Sequence, residues 1–212
     1  MTLFIGDVHG KFGRYDRIIR EHANTIQVGD MGVGFIDPNS VYRDYPRYLS
    51  NPSHDKMVAG NHRFIRGNHD NPSVCKRHTQ CIQDGTVEGD RMFIGGALSI
   101  DRAFRVEGYT WWKDEEITSP EEWNRIFDIY RIALPRVMVT HECPESVAGQ
   151  VMASHNMTKL HDPSITRRAF EGLLSIHRPE IWVFGHWHRS FDAVINGTRF
   201  VCLNELEAKE ID

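Results

Sequence analysis

A polar run placed directly after a short apolar strand recurs along the sequence, and this arrangement limits the folds that the chain can adopt. Phe64-Ile65 is followed at once by Arg66-Gly67-Asn68-His69-Asp70, ahead of the turn at Asn71-Pro72. The other predicted strand ends of this kind carry Asp7-Val8-His9, Gly29-Asp30, Thr140-His141 and Gly185-His186-Trp187-His188. Together these ends supply two carboxylates, one side-chain amide and four imidazoles, with His69 and Asp70 left over.

This set of side chains can supply the ligands for two adjacent divalent ions. Carboxylate and imidazole ligands both bind first-row metals, and a carboxylate can bridge two ions, so the set fits zinc, manganese or iron better than calcium. Two ions about 3.5–4 Å apart clamp the attacking and leaving oxygens of an in-line displacement at phosphorus. We expect Asp70 to fix the tautomer of the His69 imidazole, which would reach the leaving oxygen. Taken alone, Asn-His-Asp is also an ordinary polar turn before a proline.

Hydrophobic spacing and turn residues predict alternating strands and helices. The predicted strands are 3–5, 26–28, a pair or one interrupted strand at 57–59 and 64–65, a hairpin of 86–88 with 92–94, 137–139, 181–184, and a hairpin of 191–195 with 199–203. The predicted helices begin at about Gly13, after the N-cap Ser119 and after Asp162, and the last two end before Pro135 and Pro179. The spacing of apolar residues also indicates a short helix between Pro38 and Pro52.

Two irregular segments leave their roles open. Residues 31–56 form either a surface connection or a rim over the active site. The segment 101–117 is dense in arginine and aromatic residues, which suit a phosphate flanked by a ring but also suit packing of the loop onto the domain. These residues are Arg102, Arg105, Tyr109, Trp111 and Trp112.

Length and charge narrow the classes of protein. A chain of 212 residues is long enough for one well-buried domain, which we expect to span 1–212. The net charge of −4 excludes a broadly basic protein that grips nucleic-acid phosphates non-specifically, although a local basic groove remains open. No export signal or membrane-spanning run is recognisable, so we expect a cytoplasmic protein with no membrane partner. The cysteines lack CxxC spacing and are expected to be reduced thiols, at Cys75, Cys81, Cys143 and Cys202.

The five motifs, taken in order, resemble those of the calcineurin-like metallophosphoesterase superfamily from residue 7 to residue 188. The resemblance implies an α/β fold, a four-layer α/β/β/α sandwich of two mixed sheets flanked by helices, with the metals held at strand ends. It implies one ion on Asp7, His9 and His188. It implies a second ion on Asn68, His141 and His186, with Asp30 as the bridge.

The resemblance also implies a mechanism, in which a hydroxide shared by the two ions attacks phosphorus. His69, oriented by Asp70, would stabilise or protonate the leaving oxygen, and Arg66 would bind phosphate. Departures from the family narrow the substrate. After Asp30 the sequence runs Met31-Gly32-Val33-Gly34, without the Asp-Arg that follows in serine/threonine protein phosphatases. Val33 stands where purple acid phosphatases carry tyrosine.

The sequence therefore predicts a binuclear phosphoesterase that hydrolyses a mono- or diester, with a small or nucleotide-type substrate. Manganese, zinc, iron and nickel all remain candidates for the ions, and the oligomeric state is open. A nuclease or nucleic-acid phosphatase is an alternative, and it would need a basic channel built from Arg63, Lys76, Arg77, Arg102, Arg105, Arg167 and Arg168. A serine/threonine protein phosphatase and a non-catalytic metal-binding scaffold are less favoured alternatives.

Overall fold

The computed structural model describes residues 2–35, 56–57, 59–156 and 162–212. Its strands are β1 (Thr2–Ile5), β2 (Thr25–Gln27), β3 (His62–Phe64), β4 (Thr86–Glu88), β5 (Arg91–Ile94), β6 (Val137–Thr140), β7 (Ile181–Phe184), β8 (Phe191–Ile195), β9 (Thr198–Cys202) and β10 (Ala208–Ile211). Its helices are α1 (Phe12–Ile19), α2 (Pro72–Cys75), α3 (Pro120–Ala133), α4 (Glu145–Ser154) and α5 (Ile165–Ile176), with a 3₁₀ turn at Arg102–Phe104.

The strands form two mixed sheets. The first has the order β10-β1-β2-β3, in which β1, β2 and β3 are parallel and β10 is antiparallel to β1. The second has the order β4-β5-β6-β7-β9-β8, with four parallel central strands and an antiparallel strand at each edge. Antiparallel edges on a parallel centre are common in sheets whose two faces are both covered.

Three hydrophobic layers hold the sheets and helices together. Along β1 the side chains alternate, so Phe4 packs between the two sheets while Leu3 and Ile5 pack towards α1. On the outer face of the second sheet, Trp182 packs against α3, α4 and α5 through residues such as Phe170. The order is helix, sheet, sheet, helix, which confirms the predicted four-layer sandwich.

Most predicted elements are present, and the differences have physical causes. Both predicted hairpins are confirmed as β4–β5 and β8–β9. The strand predicted at 57–59 is wrong, because Met57 and Ala59 are helical, and Met57 is fully buried in the layer beneath α1. Helix α4 was not predicted, because it begins after Pro144 without a side-chain cap.

Other predictions differ in detail or lie beyond the structure. The cap of α5 is Ser164 rather than Asp162, since Ser164 Oγ accepts the Arg167 N–H at 3.2 Å. The helix hinted at 38–52 lies outside the described residues, as does most of the 31–56 segment. The cysteines are all buried and form no disulfide within the described residues. Among the helices described, none has the length and apolar character to cross a membrane.

Candidate metal centre

The predicted metal-binding side chains follow the carboxyl ends of β1, β2, β3, β6 and β7 and meet at one edge of the sandwich. The backbone turns tightly there, and four of these residues have left-handed φ angles, namely His9 (46°), Asp30 (57°), His186 (67°) and His188 (47°). Such a conformation is unfavourable for residues with a side chain, and it concentrates at functional sites. The strand ends are therefore shaped to aim these side chains, against the local preference of the backbone.

Glycine allows the strand ends to approach one another. A Cβ atom on Gly67 would lie 2.0 Å from Asp30 Oδ1, and a Cβ on Gly185 would lie 2.3 Å from Asp7 Oδ1. The His186 N–H donates to both oxygens of Asp7 at 3.2 Å, which ties the first sheet to the second. Only glycine at positions 67 and 185 leaves room for the two carboxylates.

One group of donors, which we call the front half, consists of Asp7, His9 and His188. His9 Nε2 lies 2.8 Å from His188 Nε2, and His188 Nε2 lies 3.0 Å from Asp7 Oδ2. Asp30 Oδ2 is 3.7 Å from His9 Nε2. One ligand atom from each of these four residues lies within 4.8 Å of the other three, a spacing that one ion can satisfy.

The other group, the rear half, consists of Asn68, His141 and His186. His141 Nε2 lies 3.0 Å from Asn68 Oδ1 and 3.4 Å from Asp30 Oδ1. The rings of His141 and His186 are in edge contact, with centroids 5.1 Å apart. Asp30 therefore turns one carboxylate oxygen towards each half.

The donor set suits divalent metal ions. With Asp30, the front half groups four carboxylate and imidazole donors closely enough for one ion. The rear half adds the amide oxygen of Asn68 and the imidazoles of His141 and His186 beside the other oxygen of Asp30. Four mixed nitrogen and oxygen donors are sufficient for zinc and suit manganese or iron when water completes the shell.

Electrostatics inside the cluster favour a charged Asp30. Burial works against the carboxylate, but the neighbouring imidazoles of His141, His69 and His9 outweigh it and hold the pKa of Asp30 well below its ordinary value. Burial also works against a charged His141, yet the Asp30 carboxylate prevails and raises the pKa of His141 to about 10. Burial, together with His141, lowers the pKa of His186 well below its usual range, so His186 is a neutral imidazole.

Asp70 has a different contact from the one predicted. Its carboxylate accepts the backbone N–H groups of Gly32 (2.7 Å), Val33 (2.8 Å) and Gly67 (2.7 Å). Nδ1 of His69 is buried and has no hydrogen-bond partner among the described residues. The structure does not show the expected contact between Asp70 and His69, because the Asp70 oxygens tie the loop after Asp30 to the loop after β3.

Arg66 also lies elsewhere than its predicted role requires. Its Nε donates to Asp84 Oδ2 at 2.9 Å, and one Nη donates to the carbonyl of Glu115 at 2.7 Å. Arg66 does not line the cavity above the donors.

A cavity of about 450 Å³ opens above the two halves and is lined by donors of both, together with His69. The segment 101–117 contributes Arg105, whose Nε donates to Asp101 Oδ2 at 2.8 Å and whose guanidinium carbon lies 5.7 Å from the ring centroid of Phe35. The Phe35 ring in turn meets the edge of His69, with centroids 5.7 Å apart. On the other side Lys11 also lines the cavity and is paired with Glu205.

Sequence reasoning missed a buried ion-pair network behind the rear half. The Glu142 carboxylate accepts the Trp187 Nε1–H at 2.8 Å and an Arg167 Nη–H at 3.1 Å, and it faces His186 Nε2 at 3.6 Å. Arg167 also pairs with Glu145 and Asp162. The available signal was the position of Glu142, a charged residue directly after a buried strand and a donor histidine.

Comparison with known proteins concerns the family and the fold of the chain. The model of the calcineurin-like phosphoesterase family matches residues 1–190. No curated protein matches the sequence. Among solved structures, a Staphylococcus aureus protein in complex with α-ketoglutarate, provisionally named a 5′-nucleotidase, has 14% identity and a TM-score of 0.55 over 96% of this chain and 48% of that one. GAP50, the anchor in the inner membrane complex of Plasmodium, has 11% identity and a TM-score of 0.48 over 96% and 71%.

The chain thus spans about half the length of the Staphylococcus aureus protein, and at this identity the likeness concerns the fold. The family match covers all five strand-end motifs, from Asp7 to His188. The chain belongs to the calcineurin-like phosphoesterase family.

Proposed function

We propose that this chain hydrolyses a small phosphate ester of the nucleotide type with two divalent ions, one in each half of the site. The observation that carries this proposal is the placement of Asp30. Its Oδ2 faces His9 of the front half at 3.7 Å, and its Oδ1 faces His141 of the rear half at 3.4 Å. A buried carboxylate divided in this way suits a bridge between two ions.

In this proposal Asp7, His9 and His188 hold one ion, and Asn68, His141 and His186 hold the other. When bound, such ions supply positive charge that stabilises the phosphoryl group in the transition state, and they lower the pKa of water. The Asp30 carboxylate also accepts the backbone N–H of His69 at 2.8 Å, so the His69 residue is held next to the bridge.

His69 is the group that would stabilise or protonate the leaving oxygen. Its ring lines the cavity and lies between the edges of His9 and Phe35, with centroid distances of 5.4 and 5.7 Å. These ring contacts, rather than Asp70, restrict where the imidazole points. General acid catalysis by a positioned imidazole contributes roughly 10²- to 10⁴-fold to rate.

Arg105 is the side chain best placed to bind the substrate phosphate, in place of Arg66. Lys11 and Arg105 are the lysine and arginine that line the cavity in the described part of the chain, and Lys11 already pairs with Glu205. Asp101 holds one edge of the Arg105 guanidinium through Nε and one Nη. The planar guanidinium has further N–H groups for a phosphate oxygen.

A nucleotide-sized substrate agrees with the dimensions of the site. A cavity of about 450 Å³ falls in the range of small-ligand sites. The Staphylococcus aureus protein that shares the fold is provisionally named a 5′-nucleotidase, which supports testing nucleotides first.

The nuclease alternative has less support, since the arginines it requires are dispersed. Arg63 is paired with Glu88 through two hydrogen bonds of 2.6 and 2.7 Å. Arg167 is enclosed by carboxylates, and Arg102 and Arg168 line a separate cavity. Of the seven basic residues proposed for a channel, Arg105 alone lines the cavity over the donors.

The test is a matched assay of metal-stripped protein reloaded with manganese, on p-nitrophenyl phosphate, bis-p-nitrophenyl phosphate and 5′-mononucleotides. We expect turnover to require metal and to be faster on a 5′-mononucleotide than on p-nitrophenyl phosphate. A preference for the diester would indicate that the natural substrate is a small phosphate diester rather than a monoester.

Two variants assign the roles. Asp30→Asn should lose bound metal and turnover together, whereas His69→Ala should keep both ions and lower kcat by about 10²- to 10⁴-fold. His22→Ala, a histidine away from the cavity, serves as the matched control. An Asp30→Asn protein with wild-type metal content and turnover would refute the two-ion proposal.

A further inference from the structure

A buried chain of hydrogen bonds runs outward from Asn68, the amide of the rear half. Asn68 Nδ2 donates to Ser99 Oγ at 2.9 Å, and the Ser99 hydroxyl donates to Glu115 Oε2. The Ser99 backbone N–H donates to the other Glu115 oxygen at 3.1 Å. Asn68, Ser99 and Glu115 are each 2% exposed, so water does not compete for these contacts.

We infer that Ser99 and Glu115 are positioning residues that fix which end of the Asn68 amide faces the rear ion. This inference rests on the two-ion function proposed above. A side-chain amide carries an oxygen that can bind a metal and an NH₂ group that cannot. The two ends are nearly equal in size, so shape alone selects between them poorly, and a hydrogen bond of fixed direction must decide.

The direction follows from the donors available along the chain. Glu115 in its carboxylate form only accepts hydrogen bonds, so the single hydroxyl hydrogen of Ser99 is committed to it. Ser99 Oγ must then accept from its other neighbour, which requires the Asn68 NH₂ group at that side. The Asn68 oxygen is thereby turned to the opposite side, where it lies 3.0 Å from His141 Nε2.

The segment that carries Glu115 is itself anchored. The carbonyl of Glu115 accepts from Arg66 at 2.7 Å, and a Cβ on Gly96 would lie 2.5 Å from the same oxygen. Arg66 therefore supports the site from behind, by holding the backbone of a residue that acts on Asn68.

The adjacent Glu116 provides a matched control. It is nearly as buried as Glu115, at 6% exposure, but its Oε1 accepts from Ser164 Oγ (2.8 Å) and from the backbone N–H of Thr166 (2.9 Å). Glu116 thus caps the start of α5 and makes no contact with Asn68. The variants Glu115→Gln and Glu116→Gln remove the same charge from neighbouring buried sites with different partners.

The experiment measures manganese binding to the metal-stripped protein by titration calorimetry, with electron paramagnetic resonance to report coupled pairs of ions. Ser99→Ala and Glu115→Gln should each lower the affinity for one of the two ions by about 10- to 100-fold and leave the affinity for the other unchanged. Glu116→Gln should change neither affinity by more than about twofold. Ser99→Thr keeps the hydroxyl, so this variant should bind both ions with wild-type affinity, unlike Ser99→Ala.

A double variant isolates the direction of the amide from the mere presence of a hydrogen bond. In an Asn68→Asp background both ends of the side chain are oxygen, so there is no wrong end to present. Adding Ser99→Ala to that background should then change metal affinity by no more than about twofold, against about 10- to 100-fold in the wild-type background.

The outcomes separate this inference from the proposed function. If wild-type protein binds two ions and the Ser99→Ala and Glu115→Gln proteins bind them equally well, the chain of hydrogen bonds only packs the loop, and the inference is overturned. An equal loss from Ser99→Ala in both backgrounds would also overturn it. A wild-type protein that binds fewer than two ions would overturn the two-ion function, and the inference with it.

Discussion

The two halves of the site are built differently. In the front half the side chains of His188 and His9 are 43% and 21% exposed, and the donors mainly contact one another. In the rear half His141 is fully buried and Asn68 is 2% exposed, and each donor has a partner behind it. These partners are Ser99 for Asn68, the Val28 carbonyl for His141 at 2.8 Å, and Glu142 facing His186.

The difference indicates that the protein itself organises the rear half, whereas the front half depends more on the ion it would hold. Partners behind a ligand fix its tautomer and direction before any metal arrives, and they strengthen metal binding. The front half has less of this support and opens to the cavity. Exchange of an ion, and adjustment to the substrate, would then take place mainly in the front half.

The largest expected effect tests the support of the rear half. Arg167→Met should lower the free energy of unfolding of the metal-free protein by about 3–5 kcal/mol, because Glu142 would be left as a buried charge without its partner. The Arg167 side chain is 3% exposed. Urea denaturation measures the change.

The adjacent Arg168 gives the control for that measurement. It is exposed, and among the described residues it donates to the Pro163 carbonyl at 3.2 Å, so Arg168→Met should cost about 0.5 kcal/mol or less. Equal costs at the two positions would show that the Glu142–Arg167 contact is not the source of stability behind His186.

A smaller difference in the free energy of unfolding is expected when one histidine from each half is replaced in the metal-free protein. His141→Ala should cost about 2–3 kcal/mol, since it opens a cavity and removes the partner of the Asp30 carboxylate and of the Val28 carbonyl. His188→Ala should cost about 1 kcal/mol or less, because that side chain is 43% exposed. If the two variants were equally destabilised, the front half would be as firmly organised without metal as the rear half.

The grouping of these side chains could be predicted from the sequence because their signal is local. Each follows a short apolar strand, and parallel strands bring their carboxyl ends to one edge, so Asp7, Asp30 and His141 meet although they are far apart in the chain. The two-sheet architecture was likewise within reach, through the resemblance of the motifs. The assignment of each donor to an ion remains a prediction.

The supporting contacts could not be predicted, because they join loops that have no periodic pattern. Glu115 reaches Ser99 across 16 positions, and Arg167 reaches Glu142 across 25, and nothing near either residue marks its partner. Asp70 illustrates the same limit: its sequence position beside His69 suggested a pair, but the backbone N–H groups at 32 and 33 compete more effectively for its carboxylate. Long-range contacts therefore give Asp70 hydrogen-bond partners that its position beside His69 does not indicate.

The smallest expected effect concerns the relative affinities of the two ions. Removing His188 leaves only the rear half complete, and removing His186 leaves only the front half complete. Because the ligands of the rear half are held by partners behind them, the ion that remains in His188→Ala should bind about tenfold more tightly than the ion that remains in His186→Ala. Titration calorimetry of the metal-stripped variants with manganese measures both constants.

The variant that binds its remaining ion more tightly shows which half is the stronger metal site. Asp30 contributes one oxygen to each half, so its contribution to the two affinities largely cancels. His22→Ala, which leaves both halves intact, should bind two ions as the wild-type protein does. If the remaining ion bound more tightly in His186→Ala, the exposed front half would be the stronger site. The partners Ser99 and Glu142 would then serve the stability of the fold rather than the grip on metal, and the distinction drawn between the two halves would fail.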